Sequence, residues 1–150
     1  MGLFLLLFVI CILYVVFQPR IKGYLVEKAV ARELSGLPKQ YYKVLNDVML
    51  ETKYGTTQID HVVVSTYGIF VIETKNYKGC ITGNEYAEQW TKNMYGKKYL
   101  FRNPLKQNYA HVKALEEKMN LSEDIFIPIV AFSNNCQIKV KTSKNVVYIG

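Results

Sequence analysis

Three charged side chains lie within a largely apolar stretch: Asp60, then Glu73 and Lys75 in the string Glu73-Thr74-Lys75. Val62, Val64, Ile69 and Val71 surround them in sequence. Charged groups in such company are costly unless paired or bound to a metal. Two neighbouring carboxylates repel each other, and a divalent cation removes the conflict. Mg²⁺, with Mn²⁺ as a substitute, takes a few carboxylate oxygens and completes its shell with water and substrate phosphate. An ammonium beside that ion could orient or help deprotonate water, or could stabilise charge developing on phosphate. The pattern is compatible with metal-dependent phosphodiester chemistry on Asp60 and Glu73, with Lys75 beside the ion. The plainer reading is a surface cluster in which Lys75 bridges Asp60 or Glu73, since cross-strand ion pairs are common.

The elements that must position these groups can be read from periodicity. Residues 57–65 and 68–75 read as two β-branched-rich strands joined at Ser65-Thr66-Tyr67-Gly68. A two-residue turn at Thr66-Tyr67 opposes Asp60 to Glu73, and one at Tyr67-Gly68 opposes Asp60 to Lys75. Opposed residues share a face, and so do Glu73 and Lys75 by alternation. Either turn predicts all three charged groups on one face. His61 then points to the other face, which suits a structural histidine. A strand at 41–50 precedes the pair, and a helix at 23–34 precedes that strand, ended by Ser35-Gly36 and Pro38. Gly79 and Gly83 mark a turn region, and residues 85–101 read as a hairpin around Asn93-Met94-Tyr95-Gly96. Asn103-Pro104 opens a second helix, with Asn103 as cap and Pro104 in the first turn. Its apolar positions are Leu105, Tyr109, Val112, Leu115 and Met119, and His111 lies one turn after Gln107. Strands at 126–132 and 146–149 complete an α/β fold with one mixed sheet flanked by helices.

The strings Gln58-Ile59-Asp60-His61-Val62-Val63-Val64 and Gly68-Ile69-Phe70-Val71-Ile72-Glu73-Thr74-Lys75-Asn76 resemble the nuclease-related domain family. Gly79, Trp90 and Asn103-Pro104 with Gln107 extend the likeness, over roughly residues 22 to 132. That family is similar to restriction-endonuclease-like nucleases with an Asp…Glu-x-Lys core. The resemblance implies that fold, metal ligation by Asp60 and Glu73, and catalysis by Lys75. It also implies an acidic helper at Glu27 and a polar helper at Gln107. Two positions depart from the pattern: Val26 stands where the helix entry often has a second Gly, and Ile59 stands where the broader nuclease signature has Pro.

The 150-residue chain has a formal net charge of +7, and its first eighteen residues carry no charged side chain. The excess of cations favours an anionic partner. From Gln89 to Leu115 there is no acid, while Lys92, Lys97, Lys98, Arg102 and Lys106 alternate with Trp90, Tyr95, Tyr99, Phe101 and Tyr109. Such interleaving suits phosphates and unstacked bases of nucleic acid, or else a solvated hairpin whose aromatics are core. Lys139, Lys141 and Lys144 form a second basic group, read as a loop that could contact lipid. Cys11, Cys80 and Cys136 have neither disulfide-framework nor zinc spacing. No phosphate-binding glycine loop or serine-hydrolase motif occurs.

Leu3 to Phe17 is an unbroken apolar run followed by Gln18, Pro19, Arg20 and Lys22. It reads as a membrane anchor over residues 1–18, joined by a short link at 18–22 to a nuclease-related domain over 19–150. Cations after the run place that domain in the cytoplasm, giving a single-pass protein of the cell membrane. The resulting expectation is a membrane-anchored, Mg²⁺- or Mn²⁺-dependent nuclease acting on DNA or RNA. The alternatives are a non-catalytic nucleic-acid-binding module of the same fold and a membrane-surface interaction module.

Overall fold

The computed structural model describes residues 2–149; Met1 and Gly150, the outermost residues of the expected anchor and domain, lie outside them. The chain begins with helix α1 (Gly2–Ser35). An antiparallel meander follows, of β1 (Tyr42–Thr52), β2 (Gly55–Ser65) and β3 (Gly68–Lys75). Next come β4 (Gly79–Asn84), β5 (Gln89–Met94) and β6 (Lys97–Arg102), then helix α2 (Pro104–Met119). The chain closes with β7 (Phe126–Phe132), β8 (Cys136–Lys141) and β9 (Val146–Tyr148).

The strands form two mixed sheets rather than the single one expected. One has the order β1-β2-β3-β7-β9 and the other β6-β5-β4-β8. Two strands account for the difference. The expected turn region around Gly79 is β4, and the expected basic loop holding Lys139 and Lys141 is β8; the two pair in parallel. β8 alternates apolar and polar residues from Cys136 to Lys141 but is only six residues long. β4 is equally short and is interrupted by Gly79 and Gly83. The parallel pairing of the two supplies the order that short length leaves open.

The first sheet carries two cores, one on each face. Val62, Ile69 and Val71 pack with Val112 and Leu115 of α2. Val63 and Ile72 pack with Ala131, and Leu34 of α1 packs against that group. The second sheet contributes a third core, in which Trp90, at 0% exposure, stacks on Phe132 with ring centroids 6.3 Å apart. Tyr109 and Met119, expected on the apolar stripe of α2, are instead exposed. The stripe is narrower than the sequence implied because Asn108 and His111 take buried positions on it.

Helix α2 is anchored through Asn103. Its Oδ1 accepts from the Leu105 amide at 2.9 Å, and its Nδ2 donates to the Asn84, Glu85 and Ala87 carbonyls, the last at 2.7 Å. One buried side chain thus caps the helix and ties its start to the β4–β5 connection. Farther along, Asn108 Nδ2 donates to the carbonyls of Val71 and Ile129, each at 2.9 Å, which seats the helix over β3 and β7.

The membrane-anchor expectation does not hold. Among the described residues no helix is long and apolar enough to cross a membrane. The apolar run of 15 residues spans roughly 22 Å at helical rise, against a hydrocarbon core of about 30 Å. The backbone also continues as helix through residues 18–22, where a link was expected. The inferred single-pass location and cytoplasmic orientation rested on that anchor and are withdrawn with it. The side chains from Phe4 to Tyr14 and of Phe17 are exposed.

Candidate active site around Glu73

The β2–β3 ladder runs from Ser65↔Gly68 to His61↔Ile72. This is the Thr66-Tyr67 turn, the register that opposes Asp60 to Glu73. Gly68 at φ +135° permits it; a Cβ there would lie 2.8 Å from the Ile125 carbonyl oxygen. Ser65 supports the turn by accepting from the Tyr67 amide at 3.1 Å.

Glu73 and Lys75 share a face, as alternation requires. Glu73 is 2% exposed and is met from α2 by two side chains one turn apart. Gln107 Nε2 donates to Glu73 Oε1 at 2.7 Å, and the Lys75 ammonium donates to the same oxygen. Lys75 also donates to Gln107 Oε1 at 3.2 Å. His111 Nε2 lies 3.1 Å from Glu73 Oε2, while its Nδ1 lies 3.1 Å from Thr57 Oγ1. Burial alone would push the Glu73 carboxyl up. The hydrogen bond from His111 and the charge and hydrogen bond of Lys75 outweigh it and hold the group below its usual value.

Asp60 departs from regular strand geometry. The β1–β2 ladder pairs Asn46↔His61 and Val48↔Ile59 but skips Asp47 and Asp60, and Asp47 has φ +52°. Beyond this interruption Ile59 joins Val62 in the core beneath α2, which simple alternation would forbid. The Asp60 carboxylate meets β3 near its C-terminal end. Its Oδ2 accepts from the Thr74 amide at 2.7 Å and from Thr74 Oγ1 at 2.8 Å. Burial and the charge of Glu73 raise the Asp60 carboxyl against those two hydrogen bonds and Lys75.

Glu27 of α1 is half-buried near the same charges. Burial raises its carboxyl, followed by repulsion from Asp60, Asp47 and Glu73. Asn76 ties α1 to the end of β3, donating from Nδ2 to the Lys22 carbonyl at 2.8 Å. The five expected residues, Asp60, Glu73, Lys75, Glu27 and Gln107, are therefore electrostatically or directly linked. His111 touches the site more closely than Glu27 does. Its i+4 spacing from Gln107 was the sequence signal for it. Thr57 and Thr74 carried no signal, because their roles depend on which atoms the sheet brings opposite them. His61 is buried and bonded to Asn46 Oδ1 at 2.8 Å, in keeping with a structural histidine.

The donor chemistry suits a hard divalent cation. Among the described residues Asp60 Oδ1 accepts no hydrogen bond, and Glu73 Oε2 accepts one. Each carboxylate thus keeps lone-pair capacity. Among the described residues no group of three or more His, Cys, Asp or Glu side chains could by itself hold a metal.

The basic hairpin is β5–β6. Lys97, Lys98 and Arg102 are exposed on β6, at the edge of the second sheet. Lys92 lies over the rings of Tyr77 and Tyr99, 5.2 and 5.1 Å from their centroids. Lys106 is paired with Glu88. Trp90 and Phe101 pack in the core and offer no platform for a base, whereas Tyr95 is 93% exposed.

A mixed α/β fold that gathers an Asp…Glu-x-Lys set against a Gln-bearing helix is the architecture of a nuclease-related protein. The chain belongs to the nuclease-related domain family, whose sequence model matches residues 22–133. An uncharacterized protein of Bacillus anthracis is 48% identical over 123 residues, covering 81% of this chain and 57% of that protein. The chain thus spans little more than half of that relative's length. A crystal structure of a protein of unknown function, AF1548, overlaps 80% of this chain and 56% of its own, at 14% identity and a TM-score of 0.47.

Proposed function

We propose that this protein hydrolyses phosphodiester bonds of DNA or RNA with the help of Mg²⁺ or Mn²⁺ held by Asp60 and Glu73. The observation that carries this reading is the set of half-buried and buried acids, Glu27, Asp60 and Glu73, sharing one nearby ammonium on Lys75. Their mutual repulsion is what a divalent ion relieves, and a bound ion would supply Lewis-acid stabilisation of phosphoryl oxygens. Asp60 is oriented by Thr74, and Glu73 by Gln107 and His111. Lys75 is held beside Glu73, where its ammonium orients water and steadies charge on the phosphate. Glu27 serves as an acidic helper from α1. The exposed cations Lys97, Lys98 and Arg102, with Lys92 and Lys106 beside them, bind the phosphate backbone.

The test is cleavage of labelled DNA and RNA by the full chain with Mg²⁺ or Mn²⁺, against Lys75→Ala and Asp60→Asn. Loss of about 10²–10⁴ in rate is expected for each variant. Equal cleavage by all three proteins would reject the assignment. Binding with a steep salt dependence but no cleavage would favour the non-catalytic module instead.

A further inference from the structure

We infer that Tyr95, at the tip of the β5–β6 hairpin, stacks on an unstacked base of single-stranded nucleic acid, with Lys97 and Lys98 engaging the strand's phosphates. The inference rests on the phosphodiester-hydrolase reading above and names its substrate form, a single strand or an opened duplex end.

Met94 pairs with Lys97, so Tyr95 and Gly96 form the whole turn. Their φ values are +53° and +76°. Positive φ at both central positions marks the type I′ hairpin turn, which favours Asn-Gly. Gly96 fits that preference. Tyr95 does not, because the left-handed region drives a Cβ toward the following carbonyl, and a bulky residue there is an outlier. Nothing inside the protein offsets the strain. Tyr95 is 93% exposed, and among the described residues its side chain makes no hydrogen bond, ion pair or ring contact. Uncompensated strain of this kind is characteristic of functional positions.

The charge of the hairpin selects the partner. From Gln89 to Arg102 it carries Lys92, Lys97, Lys98 and Arg102 and no acid. Lys97 and Lys98 are exposed beside the tip. An anionic ligand with flat rings satisfies both the cations and the bare tyrosine, and a nucleic-acid strand is such a ligand. Bases inside a duplex are covered by their neighbours, so a stacking tyrosine needs a single strand or a frayed end. The tip also stands near the acids. Gly79 lies four residues beyond Lys75, a reach of at most about 14 Å in an extended chain. A Cβ at Gly79 would lie 2.2 Å from the Asn93 carbonyl oxygen and 3.2 Å from Met94 Cβ, so the hairpin end is seated against that junction. Lys92 reaches over the ring of Tyr77 in the same link between β3 and β4. A strand stacked at Tyr95 thus passes the end of β3 within a few nucleotides.

Affinity is measured on the full chain in EDTA, with a short single-stranded DNA carrying 2-aminopurine and with the same sequence as a duplex. Wild type should bind the single strand and quench the 2-aminopurine. Tyr95→Ala should weaken single-strand binding about 5–100-fold. Its duplex binding should stay within about twofold of wild type, because a duplex is held through its phosphates. Tyr95→Phe should bind as wild type does. Tyr95→Asn should lose the affinity yet melt about 2–5 °C higher, since Asn suits the turn. Tyr54→Ala, which changes a tyrosine 90% exposed on another turn, should alter neither affinity. Unchanged single-strand affinity in Tyr95→Ala, or an equal fall on single strand and duplex, overturns the stacking. A wild type that binds no single strand overturns it as well. A Tyr95→Asn protein no more stable than wild type removes the strain on which the inference stands and overturns it too. Cleavage in Mg²⁺ is scored separately: stacking without cleavage rejects the hydrolase reading alone, and cleavage without stacking rejects the role of Tyr95 alone.

Discussion

Replacing Lys75 by methionine is the most demanding single perturbation of the site. The substitution keeps most of the side-chain length but removes the ammonium that faces Glu73 and Gln107. Glu73 is almost fully buried and, among the described residues, keeps Gln107 and His111 as its donors. Removing one partner of a buried ion pair costs about 3–5 kcal/mol. The Lys75 side chain is 16% exposed and two donors remain on Glu73, so the cost falls below that range, to about 2–3 kcal/mol. For a chain of this size that is a fall in Tm of about 5–12 °C. Lys75 is the one ammonium bonded to Glu73 among the described residues, and its loss also leaves Glu27, Asp60 and Glu73 to repel one another more strongly. Divalent ion should therefore offset most or all of that loss, by about 2.7 kcal/mol at a hundredfold excess over Kd. The assay is thermal unfolding by circular dichroism of wild type and Lys75→Met, in EDTA and in Mg²⁺, beside DNA cleavage. A variant as stable as wild type in EDTA and unchanged by Mg²⁺ would refute the electrostatic reasoning. A variant that still cleaves at the wild-type rate would refute the catalytic assignment.

Other perturbations address separate parts of the molecule. Asn103→Ala removes a helix cap and strands the Ala87 carbonyl, for a loss of about 2–3 kcal/mol by chemical denaturation. A loss under about 0.5 kcal/mol would deny Asn103 that anchoring role. Gly68→Ala places a Cβ against the Ile125 carbonyl at positive φ, and should cost about 1–3 kcal/mol. The site also predicts a pH dependence. Asp60 and Glu27 have raised folded values, so in metal-free protein their contribution to stability declines as pH rises from their ordinary values through the raised ones. Glu73, held low, contributes stability that is present above its ordinary value and lost only as pH falls through its depressed one. Metal binding favours ionised Asp60 and Glu27, so Mg²⁺ affinity should rise as pH climbs through their raised values, with proton release measured by calorimetry in two buffers. A pH-independent affinity would contradict this. Lys97→Gln with Lys98→Gln should lower the salt slope of DNA binding by about 2. An unchanged slope would return β6 to the role of a charged sheet edge that resists pairing with other chains.

Residue types and spacing marked Asp60, Glu73 and Lys75 as a candidate set, to which the family resemblance gave weight, and fixed the Asn103-Pro104 helix start and the strand ranges at Gly68–Lys75 and Phe126–Phe132. These rest on local physics: alternation, capping and the cost of charge among apolar neighbours act within a few residues. The sequence also left two turn registers open, and the pairing of Ser65 with Gly68 chose between them. It missed β4 and β8, because short strands are defined by partners distant in the chain. It placed a membrane anchor on an apolar run too short to cross a bilayer. Only the tertiary structure decided that His111 holds the second oxygen of Glu73, that Thr74 turns Asp60 toward β3, and that Trp90 is core rather than a surface for bases. Hydrogen-bond partners are set by the packing of α2 on β3 and by the interruption at Asp47 and Asp60. No local pattern encodes which atoms those long-range contacts bring within reach.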